Sequence, residues 1–235
     1  MGTEYGNRSI VTSGLTLCLD AGNLKSYPTS GTTWTDLTRN GNNGTLIANP
    51  VFTNNSISLN GSTQYVNFGN ILNLSTNSLT VNMWVNLNSI VGQTFLSKAL
   101  AGVQNYRFSM GVPSTGTLGI FIQGNGGADI TPNTSVILSA NTWFMATFVL
   151  DRSSSAKIYY NAVSQTLINS ATISQWNGLD FQSSNPFRIG TYTASDNTSP
   201  VSLTNGRIGL VQVYFRVLSD SEILQNYNAT KWRFQ

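Results

Sequence analysis

The ionisable residues of this chain offer few routes to acid-base or nucleophilic chemistry. Among its 235 residues, nine are Asp or Glu, twelve are Lys or Arg, and none is His. The lack of histidine excludes Ser-His-Asp and Cys-His nucleophile arrangements and removes the commonest metal ligand. Cys18 is the only cysteine, which excludes a disulfide framework and a multi-cysteine zinc site.

Two carboxylates could still hydrolyse a glycosidic bond, one protonating the leaving group while the other attacks or activates water. Acids at alternate positions of one strand would share a face and serve this purpose. Asp180, Asp196 and Asp220 are instead solitary or lie beside turn residues, where acids commonly bond to the local backbone. The sequence therefore predicts a protein without enzymatic activity.

Oxygen-bearing side chains are concentrated in the stretch LDAGNLKSYPTSGTTWTDLTRNGNNG (19–44). Asp20, Asp36, Asn40 and Asn42 could offer carboxylate and carbonyl oxygens, which are the ligands that Ca²⁺ prefers. Alternatively, Asp20 and Asp36 hydrogen-bond to loop backbone, as Asx residues do. Calcium is thus a candidate cofactor, and the only one.

Aromatic residues in predicted loops suggest a second kind of site. Lectin-like sites combine aromatic faces with amides and loop backbone, and the candidate glycan-binding residues here are Trp176, Tyr192 and Asp196. Trp34 and Trp176 could equally fill the bases of loops as core, which is the commoner use of tryptophan. Tyr192 is the best candidate for an exposed ring.

The two ends of the chain are candidates for partner binding. The tail KWRF (231–234) alternates basic and aromatic residues, and Trp232, Arg233 and Phe234 could contact another subunit because Trp and Arg are enriched in interface hot spots. The alternative is a tail that folds back on the domain. Residues 1–13 have no core pattern and are predicted to be an arm, with Tyr5 and Arg8 as contacts, preceding one domain at 14–235.

The charge and the apolar content of the sequence exclude two further classes of partner, nucleic acids and membranes. Charged residues make up 9% of the chain, and the net charge is +3. The basic residues are scattered rather than grouped, so we expect no nucleic-acid binding. No apolar run is long enough to span a membrane, and the N-terminus lacks the apolar region of a signal peptide. We therefore expect synthesis in a cytoplasm and no membrane partner.

Short alternating segments separated by turn residues predict an all-β fold. In LTVNMWVNL (79–87), apolar residues alternate with Asn82, Trp84 and Asn86, which is typical of a half-buried strand. Similar segments include YRFSMGV (106–112) and TLGIFIQ (117–123). Regular turn signals between such strands favour a sandwich, barrel or jelly roll.

The stretch IGLVQVYFRVLSDSEILQNY (208–227) changes from a strand to a helix. Alternation places Ile208, Leu210 and Tyr214 on one face, opposite further apolar residues, so both faces need a cover. Ser219 and Glu222 form a capping-box pattern that begins a helix. We expect this helix to be a short lid over an end or edge of the sandwich.

Four blocks of the chain resemble, in order, the landmark blocks of laminin-G-like domains in the concanavalin A-like superfamily. They are LCLDAGNLKSYPTSGTTWTDLTRNGNNGTL (17–46), ISLNGSTQYVNFG (57–69), SLTVNMWVNL (78–87) and GRIGLVQVYFRVLSDSEILQNYNATKWRF (206–234). The resemblance implies two antiparallel sheets in a jelly-roll sandwich. The opening arm with LCLDAGN, and the ending LQNYNATK, are more particularly similar to domains of tailed-bacteriophage virion proteins, notably those of cyanophages.

The chain departs from the family at acidic positions. Relatives usually carry F-D-G-x-x-D-Y-V, where this chain has Leu59-Asn60-Gly61 and Gln64-Tyr65-Val66. Relatives often carry G-x-I-D-E-V, where this chain has Gly206 to Val211 without the acids. Fewer carboxylates weaken an inherited calcium site. Glucanases of this fold resemble one another in an E-x-D-x-E run, which is also missing.

The resemblance implies a non-enzymatic virion structural protein. The favoured role is a capsid decoration or cement protein, with a tail or fibre component as a variant, located on the virion surface. Its partners would be the major capsid protein or tail proteins, or further copies of itself. The alternative function is a carbohydrate-binding adhesin that recognises host-surface glycans.

Overall fold

The computed structural model describes residues 9–99, 106–124, 129–169, 171–194 and 198–235. The strands are β1 (Leu15–Asp20), β2 (Thr33–Trp34), β3 (Gly44–Ile47), β4 (Val51–Thr53), β5 (Ser56–Asn60), β6 (Tyr65–Asn67), β7 (Leu79–Leu87), β8 (Gln93–Lys98), β9 (Arg107–Val112), β10 (Thr117–Gln123), β11 (Asn133–Ile137), β12 (Trp143–Leu150), β13 (Ala156–Tyr160), β14 (Val163–Ser164), β15 (Leu167–Ile168), β16 (Phe187–Ile189), β17 (Tyr192–Thr193), β18 (Pro200–Val201) and β19 (Asn205–Tyr214). One α-helix, α1 (Asp220–Thr230), follows them, and short 3₁₀ helices cover Ser174–Trp176 and Lys231–Arg233.

Two antiparallel sheets face each other across one core. Sheet A has the order β14-β13-β12-β7-β19-β5-β4, with β1 also paired to β19, and sheet B has the order β15-β11-β10-β9-β8-β16-β6-β3-β2. The strands β17 and β18 form a separate hairpin. This confirms the predicted all-β sandwich with one short C-terminal helix. In the ranges given above, no helix has the length and apolar character needed to cross a membrane.

The central strand β7 is buried on both faces, whereas its alternation predicted one exposed face. Its apolar row, which includes Val81 and Met83, joins the core between the sheets. On the other face, Trp84 belongs to a second apolar cluster on the outer side of sheet A, and Asn82 and Asn86 are also buried. A second layer therefore covers this sheet.

That layer consists of α1 and the two ends of the described chain. Trp84 stacks on Phe234 with ring centroids 4.7 Å apart and on Tyr227 at 5.7 Å, and its indole N–H donates to Thr230 Oγ1 at 2.8 Å. The predicted capping box at Ser219 and Glu222 is present. The helix is thus a lid, but it lies over a sheet face rather than over an end or edge of the sandwich.

An irregularity in β19 explains why the sequence prediction placed one residue of this strand on the wrong face. Its pairing with β7 shifts between Ile208 and Leu210, and such a bulge changes the phase of alternation. Ile208 consequently joins the core between the sheets with Val211 and Val213, while Leu210 and Tyr214 face the lid. Sequence alternation alone placed Ile208 with Leu210 and Tyr214.

Residues 9–13 of the predicted arm are docked against the lid. Val11 is buried, its N–H donates to Asn226 Oδ1 at 2.8 Å, and its carbonyl accepts from the Tyr214 hydroxyl at 2.9 Å. The carbonyl of Ser13 accepts from Arg216. These residues therefore belong to the folded domain, which begins earlier than residue 14.

We expect the capping box to make the protein sensitive to acid. Arg216 donates to both carboxylate oxygens of Glu222 at 2.9 and 2.6 Å, which is the main reason why the pKa of Glu222 falls from 4.5 to about 2. As the pH falls, the Glu222 carboxylate is therefore protonated in the unfolded chain before it is protonated in the folded protein. The stabilisation is complete above pH 4.5 and is lost as the pH falls towards 2.

Urea unfolding of the wild type and of Glu222→Gln across this pH range measures the effect. The variant should be less stable than the wild type at neutral pH, and the difference should shrink towards pH 2. A difference that does not depend on pH would contradict the assignment.

We also expect Gly209→Ala to disturb the lid. A Cβ at this position would lie 2.3 Å from Cε1 of Phe234, so we expect a loss of roughly 1–3 kcal/mol from overpacking. The matched control is the same substitution in a Phe234→Ala background, where the clash is gone and the loss should be small. Equal losses of stability in the two backgrounds would show that the cost of Gly209→Ala does not come from contact with Phe234.

Candidate functional site

A groove of about 420 Å³ opens on the outer face of sheet B. It runs over β8, β9 and β10 and is bordered by residues 131–133 on one side and by Ser202 on the other. Its volume lies within the roughly 300–1,000 Å³ that is usual for ligand pockets. The lid covers the corresponding face of sheet A, whereas this concave surface on sheet B is open.

Two glycines paired across strands form the floor of the groove. In β9 and β10, Met110 and Ile120 point into the core, so their neighbours Gly111 and Gly119 lie on the outer face. These glycines are direct partners in the ladder. Because neither carries a side chain, the floor is bare backbone.

The two glycines differ in what they would tolerate. A Cβ on Gly111 would lie 2.1 Å from the carbonyl oxygen of Gln93, so this position has no room for a side chain. A Cβ on Gly119 would lie 3.1 Å from the Pro113 ring and 3.7 Å from Cβ of Asn133. A side chain at Gly119 would therefore grow into the groove after a small shift of Pro113.

Hydrogen bonds hold both walls in place. On one side, the Thr94 N–H donates to the Ser202 carbonyl at 2.8 Å. On the other side, the Ile120 N–H donates to the Pro132 carbonyl at 3.0 Å, and Asn169 donates to Asn133 Oδ1 at 3.2 Å. Backbone contacts of this kind preorganise the groove, which lowers the cost of ordering it around a ligand.

The lining combines neutral polar groups with apolar surfaces. Ser109, Ser114 and Thr131 contribute hydroxyls and Asn133 contributes an amide, while Phe121 and two prolines contribute apolar surface. None of the described residues that line the groove carries an ionisable side chain. Such a surface can hold an uncharged ligand with many hydroxyls.

The predicted calcium residues organise their own loop. Asp36 is buried and its carboxylate accepts four hydrogen bonds, from the N–H groups of Cys18, Thr38 and Asn42 and from the Thr38 hydroxyl, at 2.7–3.1 Å. Four bonds use all the acceptor sites of a carboxylate. A cation here would have to displace these donors.

The remaining members of that set are similarly engaged. The side-chain amides of Asn40 and Asn42 both donate to the Thr16 carbonyl, at 2.9 and 3.2 Å. Asp20 forms a two-pronged ion pair with Arg233 at 2.6 and 2.8 Å. In the described part of the chain, no three His, Cys, Asp or Glu residues come together as metal ligands would. The geometry favours the interpretation as Asx residues.

The predicted glycan residues do not line the groove. Trp176 is buried and packs against Phe181 with centroids 6.0 Å apart, so its ring fills a loop base and is not available to a sugar. Trp34 is also fully buried. Tyr192 is half-buried in β17, where it pairs with Val201. Asp196 lies outside the described residues.

The predicted partner residues are divided between two environments. Phe234 is buried against Trp84 and Trp143, and Arg233 is held by Asp20. These two residues fold back on the domain, whereas Trp232, which precedes them, is 68% exposed. Tyr5 and Arg8 lie outside the described residues.

Sequence reasoning located the strands of the groove but missed the groove itself. Both β9 and β10 were predicted, and each carries a glycine in its interior, at Gly111 and Gly119. An interior strand glycine often marks a close approach of another group, and this was the available signal. It required the register between the strands, which the sequence does not provide.

A family model described as the Concanavalin A-like lectin/glucanases superfamily matches residues 60–224. No curated protein matches the chain. Among solved structures, domain 4 of the extracellular GH43 arabinanase AbnA from Geobacillus stearothermophilus, in complex with arabinotriose, superposes with a TM-score of 0.65 at 18% identity. That match covers 91% of this chain and 98% of the arabinanase domain.

Two further structures are similar over only part of their own length. The binding domain of Paraclostridial Mosquitocidal Protein 1 has a TM-score of 0.69 at 16% identity and is covered to 52%, with 92% of this chain aligned. The Trypanosoma rangeli sialidase in complex with sialic acid has a TM-score of 0.68 at 14% identity and is covered to 34%, with 96% of this chain aligned. At such identities the similarity shows the fold.

We expect Asp36→Asn to destabilise the protein. The NH₂ group that replaces one carboxylate oxygen would face an N–H or O–H donor that now has an acceptor. The cost should be about 1–3 kcal/mol. Asp180→Asn, an equal charge change at an exposed site, is the control and should cost little. Neither calcium nor a chelator should move the melting temperature of the wild type, and a shift of several degrees would show that a metal contributes to folding.

Proposed function

The chain belongs to the concanavalin A-like lectin/glucanases superfamily, and from this premise we propose that it is a glycan-binding domain whose ligand occupies the groove on sheet B. The observation that carries the proposal is the bare floor at Gly111 and Gly119. It leaves a concave surface bordered by hydroxyls, an amide and an aromatic ring.

The lining matches the two faces of a sugar. A pyranose or furanose ring has a flat surface of C–H groups and a rim of hydroxyls. The ring can lie on the glycine backbone and against Pro113 or Phe121, which bury apolar surface. Hydroxyls and amides both donate and accept hydrogen bonds, so Ser109 and Asn133 can satisfy the rim.

The similar structures support binding as the function. The arabinanase domain is described with arabinotriose, and the mosquitocidal protein segment is described as a binding domain. The aligned region spans almost the whole arabinanase domain but about half of the toxin segment. The proposal for this chain is accordingly a binding domain of the same architecture, not the activity of a whole toxin.

We propose that binding occurs without hydrolysis. Glycoside hydrolysis usually needs two carboxyl groups on either side of the scissile bond, and none of the described lining residues is Asp or Glu. Asp129 does not line the groove; its carboxylate accepts from Gln123 at 2.6 Å and lies 4.0 Å from Arg107.

We propose, secondly, that the domain is carried on the surface of a bacteriophage particle. The basis is the resemblance of LCLDAGN and LQNYNATK to cyanophage virion domains. One feature of the structure favours a protein contact there: Trp232 is 68% exposed, although its neighbours Arg233 and Phe234 are fixed to the domain. A rigidly presented Trp is a suitable anchor for a capsid, tail or identical subunit.

Gly119→Val tests the groove. The added side chain should fill the floor and weaken glycan binding at least about tenfold, which corresponds to about 1.4 kcal/mol. Because the φ angle of Gly119 is not in the left-handed region, the fold should survive, and the melting curve checks this. Binding is measured on a printed glycan array and then by calorimetry with the best ligand.

Thr45→Val is the matched control. Thr45 is exposed in β3 of the same sheet but does not line the groove. This variant should bind like the wild type. Unchanged binding by a folded Gly119→Val protein would exclude the groove as the site.

A further inference from the structure

We propose that the groove selects uncharged oligosaccharides and discriminates against acidic ones. This inference rests on the proposed glycan binding and specifies the class of glycan. It follows from where the basic residues in the strands of sheet B lie, and from the uncharged lining of the groove.

Sheet B has three basic residues in its strands, Lys98 in β8, Arg107 in β9 and Arg188 in β16. None of them lines the groove. Among the basic residues in the strands of sheet B, these three are therefore the candidates to supply a countercharge to an acidic sugar on the glycine floor.

Each of the three cations is engaged elsewhere. Lys98 is buried at the end of the sheet, where its ammonium donates to Asn70 Oδ1 and to the carbonyls of Ile71 and Asn185, at 2.8–2.9 Å. These three acceptors use all three of its protons. Lys98 is not available to a ligand.

The two arginines are held by aromatic rings. The guanidinium of Arg188 lies 5.0 Å from the Tyr65 ring centroid and donates to the Thr198 carbonyl at 3.4 Å, and its strand β16 lies beyond β8 in the order of sheet B. The guanidinium of Arg107 lies 4.8 Å from the Phe121 centroid and 4.0 Å from the Asp129 carboxylate. Arg107 therefore lies over the lining residue Phe121 without lining the groove itself, and its charge is partly offset by Asp129.

The cost of leaving water would therefore be larger for an acidic sugar than for an uncharged one. A carboxylate that loses water without gaining an opposite charge pays a large penalty, whereas sugar hydroxyls can exchange water for Ser109, Thr131 and Asn133. Since no described lining residue titrates or carries charge, binding of the preferred ligand should also vary little with salt.

The experiment uses an array of glycan pairs that share a backbone and differ in one carboxylate or sulfate. Wild-type protein should bind the neutral member of a pair at least tenfold more tightly, with little change between low and high salt. Gly119→Val should remove that signal. Thr131→Lys, which adds a cation at an exposed rim position, should shift the ratio towards the acidic member, and Thr45→Lys, outside the groove, should leave the ratio unchanged.

The outcomes separate the two proposals. Preference for the acidic member, lost in Gly119→Val, would overturn the inference and leave glycan binding at the groove intact. Failure to bind any printed glycan, or acidic binding that persists in Gly119→Val, would overturn the proposed site and the inference with it.

Discussion

The stacking of Trp84 on Phe234 is the contact on which the rest of the structure depends. It joins the central strand β7 to the last residues of the chain, and it is possible only because Gly209 offers bare backbone to the Phe234 ring. Arg233 then pairs with Asp20 beside β1. Through these contacts the chain ends and α1 bury the outer face of sheet A. A sandwich has two outer faces, and committing one to the lid leaves the other for a ligand.

Sheet B, which carries the groove, rests on aromatic side chains between the two sheets, and buried cations hold the loops at the end of the sandwich. Phe95 of sheet B packs against Phe144 and Phe148 of sheet A, so the groove rests on a filled aromatic core. At the end of the sandwich, Arg152 is buried and donates to the carbonyls of Ser75, Asn77, Trp176 and Leu179. Lys98 serves the neighbouring loops in the same way, and its burial lowers its pKa to about 8. Buried cations thus order loops at one end of the sandwich through backbone carbonyls, whereas none of the described residues that line the groove is charged.

The architecture could be predicted from the sequence because it depends on local patterns. Alternation in 79–87 and the capping box at Ser219 each act over a few residues, and each predicted its element correctly. The errors arose where two distant segments meet. The sequence placed Ile208 on the wrong face because the pairing of β19 shifts beside Gly209, where Phe234 packs. For Trp176 the sequence left core and glycan binding open, because the burial of a loop residue depends on what packs above it. The groove escaped prediction for the same reason, since Gly111 and Gly119 have meaning only as a cross-strand pair.

The replacement of acids by amides, which set this chain apart from the family it resembles, has a physical counterpart in the structure. The side-chain amide of Gln64 donates to the carbonyls of Ala48 and Asn49, each at 3.1 Å. A carboxylate has no proton to donate, so an acid at this position would face those two carbonyls as one more acceptor, and a cation would be needed to bring the oxygens together. Asn60 differs from Gln64: its Oδ1 accepts from the N–H groups of Ser62, Thr63 and Gln64, bonds that a carboxylate could also accept, and its amide donates to the Thr63 hydroxyl. The Gln64 amide therefore joins this turn to the carbonyls of Ala48 and Asn49 with its own donors, which a carboxylate could not supply.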